Sequence, residues 1–167
     1  MSANAAANEL KVLLLAPRRT LAVAESMTCG GVQARIGAVS GASEFFLGGI
    51  TAYSLAQKVA HLGVNRAAAK KVNCVSAAVA EEMARGVYRL FGSDFGVATT
   101  GYAEPSPTAG VDQPFAWWAI AERRRGRCVA VRSGRIECPG ATRADAQNFV
   151  ADGALAELVA YLRSGRL

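Results

Sequence analysis

Thr20-Leu-Ala-Val-Ala-Glu-Ser-Met-Thr-Cys-Gly-Gly31 is the stretch around which the chain is organised. Leu21 to Ala24 is a short apolar run that predicts a buried strand. It stops at Glu25-Ser26-Met27-Thr28, and small residues through Gly31 open a helix. A strand that enters a helix through hydroxyl and glycine residues leaves backbone N–H groups at a helix N-terminus, where they attract anions or polarise a carbonyl oxygen. Ser26 is therefore the first candidate for a reaction centre. Plain capping suits the same residues, since serine and threonine are good N-caps. No Gly-Lys-Ser/Thr follows, which excludes a phosphate-binding P-loop. Glu25 and Met27 flank the serine, which excludes the Gly-x-Ser-x-Gly nucleophile elbow.

Working outward, residues 1–8 read as a flexible lead-in, and a first helix is expected from Glu9 to Ala16, ended by Pro17. Beyond the strand and its helix, which runs to about Ala38, Phe45 to Tyr53 predicts a second strand. Ser54 caps a short helix that carries Lys58 and ends at Gly63. Asn65 to Asn73 reads as a polar connection. Ser76 caps a helix whose buried stripe is Val79, Met83, Val87 and Leu90. Phe95 to Thr100 is a third strand. Phe115 to Ala121 and Cys128 to Arg132 form a hairpin, and a last helix runs from Arg143 to Leu162, burying Phe149, Leu155, Leu158, Val159 and Leu162. Strands alternating with helices and followed by a hairpin imply an α/β fold: a mixed sheet with helices on both faces.

The 167 residues fit a single domain with a proper core. No apolar run approaches the ~18 residues that span a membrane, and the N-terminus lacks a signal-peptide layout, so a soluble cytoplasmic protein is expected. Cys29, Cys74, Cys128 and Cys138 form no C-x-x-C pair and His61 is the single histidine, so neither a metal site nor structural disulfides are expected. The net charge is +6, and six arginines fall between Arg123 and Arg135. Without interleaved aromatics to stack on bases, this cluster reads as a solvated hairpin tip, and nucleic acid is disfavoured as a partner.

Ligands of open α/β sheets bind beyond the carboxyl ends of strands. Three such ends carry polar groups here: Ser26 with Thr28, Tyr53 with Lys58, and Thr100 with Gly101. A serine nucleophile needs a base, and no histidine belongs to these motifs. A lysine whose pKa is lowered by burial can serve, and a tyrosine can relay a proton or hold the lysine. The bland reading, a tyrosine at a sheet end and a solvated lysine, stands beside this one.

These residues carry a resemblance. Ala24-Glu-Ser-Met-Thr-Cys-Gly30 is similar to the Ala-Glu-Ser-Cys-Thr-Gly-Gly signature of the CinA C-terminal domain family. The likeness continues through Gly41-Ala-Ser43, Gly49-Ile-Thr-Ala-Tyr-Ser54, Lys58, Leu62-Gly-Val64, Val75-Ser76 and Thr100-Gly101-x-Ala103, and spans about Leu10 to Leu162. It implies a three-layer α/β/α sandwich with a mixed, mostly parallel sheet, in a stand-alone form that assembles into homo-oligomers. It also implies nicotinamide mononucleotide deamidase activity without a cofactor, giving nicotinic acid mononucleotide and ammonia. By the same resemblance, Ser26 would be the nucleophile and Lys58 and Tyr53 would activate it. Thr28, Gly30, Thr100, Gly101 and Arg143 would bind the nucleotide substrate.

Several positions depart from the family pattern. Met27 and Cys29 stand where Cys and Gly are usual, Glu104 replaces a glycine of the Thr-Gly-x-Ala-Gly-Pro loop, Pro114-Phe-Ala-Trp-Trp118 replaces a Pro-x-Gly-Thr-Val segment, and Gln147 replaces a second late arginine. A negative charge at Glu104 should weaken phosphate binding nearby. Two alternatives follow: a diverged paralogue with changed or lost activity, and a nucleic-acid or competence-related role resting on the arginine cluster.

Overall fold

The computed structural model describes residues 3–164. Helix α1 (Ala3–Leu15) is followed by β1 (Leu21–Glu25), α2 (Gly31–Gly37), β2 (Phe46–Thr51), α3 (Leu55–Leu62), α4 (Arg66–Lys71) and α5 (Ala77–Phe91). Then come β3 (Phe95–Tyr102), β4 (Phe115–Arg124), β5 (Arg127–Glu137) and α6 (Arg143–Arg163). The strand order is β2-β1-β3-β4-β5. β1 pairs parallel with β2 and with β3, while β4 pairs antiparallel with β3 and β5. Four strands therefore point one way and β4 alone runs against them, so the sheet is mixed and mostly parallel, as expected.

The two faces of the sheet are built differently, because side chains alternate along a strand. Leu21 and Val23 of β1, Phe95 and Val97 of β3, and Trp118 and Ile120 of β4 face one core with α1, α2 and α6. Ala22, Ala24, Ala98, Ala119 and Ala121 face the other core, against α3, α4 and α5. Large residues hold the first set of helices at ordinary distance, whereas the small ones let α5 approach closely. At Gly96 a Cβ would collide with the carbonyl of Ala84, so that contact requires glycine. Each fully buried Leu or Ile, such as Leu10, Ile36 or Leu155, contributes about 2 kcal/mol by leaving water.

Four expectations need correction. The chain is helical from Ala3, because Ala6 and Ala7 are buried against the core; only Met1 and Ser2 of the expected lead-in lie outside the described residues. The polar connection contains α4, whose N-cap Asn65 accepts from the Ala68 amide at 2.9 Å and whose Ala69 is buried. Leu90 and Phe149 are exposed, each one position off the stripe its helix buries. The hairpin runs longer than its apolar residues, because ladder pairing continues through the arginines to Arg124 and Arg127.

The amino end of the parallel strands is tied by a buried carboxylate. Glu122 accepts from Arg19 at 3.0 Å, from Arg124 at 2.7 Å and from the Tyr161 hydroxyl at 2.7 Å. Burial alone would raise its pKa, but these three partners together hold it below the ordinary carboxylate value. The arginine turn shares this end of the sheet, away from Ser26. Its arginines are partly engaged: Arg123 donates to the Gly92 carbonyl and Arg132 lies over the Tyr161 ring, whereas Arg135, farther along β5 at the carboxyl end of the parallel strands, lies over the Phe115 ring. No helix among the described residues is long and apolar enough to cross a membrane.

Candidate active site

β1 lies between β2 and β3, and the chain reaches these neighbours by crossing opposite faces of the sheet. The carboxyl end of β1 is thus a topological switch point, where a crevice opens. Ser26 stands there, its amide bonded to the Thr99 carbonyl at 3.1 Å as β1 leaves the ladder. Lys58 reaches it from the first half of α3, which Ser54 caps by accepting from the Gln57 amide. The Nζ of Lys58 lies 2.8 Å from Ser26 Oγ, 2.8 Å from the Ala52 carbonyl and 2.9 Å from the Tyr53 carbonyl.

Lys58 is 1% exposed. Its burial pushes the ammonium below its ordinary pKa, against a smaller opposing interaction with Cys74. Two carbonyls take two of its N–H bonds. In the neutral amine, the remaining tetrahedral direction is a lone pair directed at the serine hydroxyl. This geometry can accept a proton from Ser26.

The helix N-terminus behind the serine is not free for an external anion. Glu25 is fully buried, and its carboxylate accepts from the amides of Gly30 (3.0 Å), Val32 (3.1 Å) and Gln33 (2.8 Å). The Thr28 hydroxyl donates to Glu25 at 2.6 Å and lies 2.7 Å from the Thr99 hydroxyl. Glu25 therefore neutralises the start of α2 from inside the protein, as a capping carboxylate does. Thr28 and Gly30 consequently belong to the scaffold of the turn. They border a separate surface hollow with Cys29, Ala144 and Gln147, rather than the cleft of Ser26. Among the described residues, the amides of Met27 and Thr28 are not engaged by this carboxylate, and Met27 lines the Ser26 cleft. Cys29 adopts φ 51°, the left-handed conformation that glycine favours. Gln147 donates to the Met27 carbonyl at 2.9 Å, so the residue in place of a late arginine braces the turn.

Tyr53 reaches Lys58 through its main-chain carbonyl. Its side chain is 54% exposed, and its hydroxyl accepts from Arg143 at 2.8 Å. The phenol is thus engaged on the rim, away from the Ser26–Lys58 contact. Arg143 also donates to Glu104 at 2.6 Å, so the negative charge introduced at Glu104 is paired with the arginine expected to hold substrate. Thr100 and Gly101 line the cleft. The Thr100 hydroxyl is used to hold the Cys74 carbonyl at 2.8 Å.

The cleft encloses about 350 Å³, and Ser26, Tyr53, Lys58, Thr100 and Gly101 all line it. Its far wall comes from residues that motif reasoning missed: Lys70, Asn73, Cys74 and Tyr102. One signal was present in Val72-Asn-Cys-Val75, a short break between helices. Asn73 and Cys74 take left-handed φ values of 48° and 62° there, turning the chain into the cleft wall.

A doubly covered, mostly parallel sheet with a buried serine–lysine pair at its switch point defines the class of α/β domain to which the chain belongs. Residues 3–162 match the CinA C-terminal domain, and the chain belongs to that family. It is 40% identical over 146 residues to a CinA-like protein of Chlorobium limicola, a match covering 86% of this chain and 34% of that protein. A CinA-like protein of Picosynechococcus is 50% identical over 93 residues, covering 56% of this chain and 22% of that protein. The chain thus spans about a third of one of these relatives and less of the other. The crystal structure of competence damage-inducible protein A from Klebsiella pneumoniae is similar at a TM-score of 0.90 and 26% identity, covering 99% of this chain and 100% of that one.

Proposed function

We propose that this domain is an amidohydrolase that deamidates nicotinamide mononucleotide, with Ser26 as nucleophile and Lys58 as its base. The contact between Lys58 Nζ and Ser26 Oγ, 2.8 Å inside a buried site, carries the reaction class. The choice of amide rests on the family resemblance.

In the proposed reaction, neutral Lys58 takes the Ser26 proton as Oγ bonds to the carboxamide carbon. The carbonyl oxygen becomes an oxyanion beside the start of the turn, where the amides of Met27 and Thr28 are the available donors. Collapse breaks the C–N bond, and Lys58 returns the proton to the departing nitrogen, which leaves as ammonia. Water then attacks the acyl-enzyme, giving a proton to Lys58 and its hydroxide to the acyl carbon. Release of the carboxylic acid returns a proton to Ser26. Tyr53 contributes the carbonyl that orients Lys58, Thr100 and Gly101 form the substrate wall, and Thr28 and Gly30 hold the turn through Glu25.

A second reading is a nucleotide-binding relative with altered or lost turnover, supported by the capture of Arg143 by Glu104. Ammonia release from nicotinamide mononucleotide separates the two. Turnover by the wild-type chain that vanishes in Ser26→Ala, with an unchanged melting temperature, supports the deamidase. A folded wild-type protein that binds the nucleotide without releasing ammonia overturns it in favour of the second reading.

A further inference from the structure

The cleft of Ser26 does not end at Lys70, Asn73 and Tyr102. These residues also border a second hollow of about 610 Å³, whose lining adds Lys71, Thr108 and Phe115. The two hollows thus adjoin at these residues. Their chemistry is one-sided, because among the described residues neither lining contains a carboxylate, while Lys58, Lys70 and Lys71 supply cations. Lys70 and Lys71 are exposed and make no ion pair among the described residues. Asn73 donates to the Tyr102 hydroxyl at 2.9 Å, which leaves that phenol's own proton for another acceptor. Beside Tyr53 the positive charge is already balanced, since Arg143, which donates to the Tyr53 hydroxyl, has the Glu104 carboxylate at 2.6 Å.

We propose that the two adjoining hollows act as one trough, with Lys70 and Lys71 as its anion end, and bind a phosphomonoester, the 5′-phosphate of a mononucleotide whose amide lies at Ser26. This rests on the amidohydrolase reading for the position of the amide, but the phosphate subsite itself does not. An incoming phosphate meets two unpaired ammonium groups and the hydroxyl of Tyr102 at this end. At Arg143 it would first have to displace a carboxylate that makes a short charge-assisted bond. The family pattern implied that the substrate is held by Arg143, so the inference moves the phosphate contact across the cleft.

The first experiment uses ribose 5-phosphate, which has no amide, and ribose as its uncharged control, titrated calorimetrically into the full chain. Binding of the phosphate ester but not of ribose is expected, with affinity falling as salt rises. Lys70→Gln with Lys71→Gln should weaken it at least tenfold, and Lys70→Arg with Lys71→Arg should restore it. No binding by the wild-type chain, or equal affinity in the glutamine variant, overturns the proposal. The second experiment measures ammonia release from nicotinamide mononucleotide and from its dephosphorylated riboside. The glutamine variant should raise KM for the nucleotide about tenfold, leave kcat within twofold and leave the riboside unaffected. Equal effects on both substrates overturn the subsite. Absence of ammonia from either substrate in the wild-type chain, with ribose 5-phosphate still bound through the lysines, instead removes the deamidase reading and leaves the phosphate subsite standing.

Discussion

The Glu25 carboxylate accepts the Gln33 amide at 2.8 Å, so the residue before the candidate nucleophile caps the helix that follows it. With Gly30, Val32 and Thr28 on the same carboxylate, one buried side chain holds the whole turn. Glu25→Ala is expected to cost about 3 kcal/mol, because it leaves several buried donors unsatisfied at once. Chemical denaturation measures this directly. A loss below about 0.5 kcal/mol would show that other groups satisfy the start of α2.

Lys58 must be neutral to accept the serine proton, and burial lowers its pKa from 10.5. The ammonia-release rate should therefore rise with pH through that lowered value and then level off. Lys58→Met should reduce kcat by about 10²–10⁴, the usual contribution of a positioned base, and abolish this rising limb. The linked stability has a definite sign. Between the folded and unfolded pKa values the unfolded chain binds more protons, so the wild-type protein gains stability relative to Lys58→Met as pH rises through that window. A pH-independent difference would contradict it.

At the opposite end of the sheet, burial and the bond to Glu122 raise the Tyr161 pKa to about 12. Tyr161→Phe should cost about 2 kcal/mol near neutrality, since it removes a bond to a buried carboxylate. The raised phenol contributes fully below its unfolded value near 10 and loses its contribution as pH climbs through 12. The depressed Glu122 contributes above its unfolded value and loses its contribution as pH falls through its folded one. The difference between variant and wild type should consequently shrink at both extremes. A gap that stayed constant with pH would remove this cluster from the linkage.

Glu104→Gly releases Arg143 on the rim of the cleft. With the phosphate at Lys70 and Lys71, KM for nicotinamide mononucleotide should change by no more than about threefold, roughly 0.6 kcal/mol. Tightening by tenfold or more would place the phosphate on Arg143. Stability should move little, because both partners are largely exposed.

The layered architecture and most elements were legible from local pattern. Leu21 to Ala24 had to be a buried strand, Ser54 and Ser76 had to start helices, and the alternating apolar runs had to build a covered sheet. The conjunction of Ser26 and Lys58 was readable as chemistry because each stands beside the end of a strand. Helix α4 was missed although Asn65 caps it and Arg66-Ala-Ala-Ala-Lys-Lys71 are strong helix formers, because it buries Ala69 alone and so shows no apolar stripe.

What the sequence alone determined was which residues carry reactive groups and which strand ends they flank, because strand and helix periodicity are properties of neighbouring residues. What the tertiary structure decided was which of those groups meet. It turned Glu25 inward onto the start of α2, tied the Tyr53 phenol to Arg143 and left its carbonyl to Lys58, and set Glu104 against Arg143 across a loop. The two pairings with Arg143 join segments 90 and 39 residues apart, and the two shorter ones depend on how the turn after each strand folds back. Whether a polar group is spent on the scaffold or left for a substrate depends on three-dimensional proximity, which no local pattern encodes.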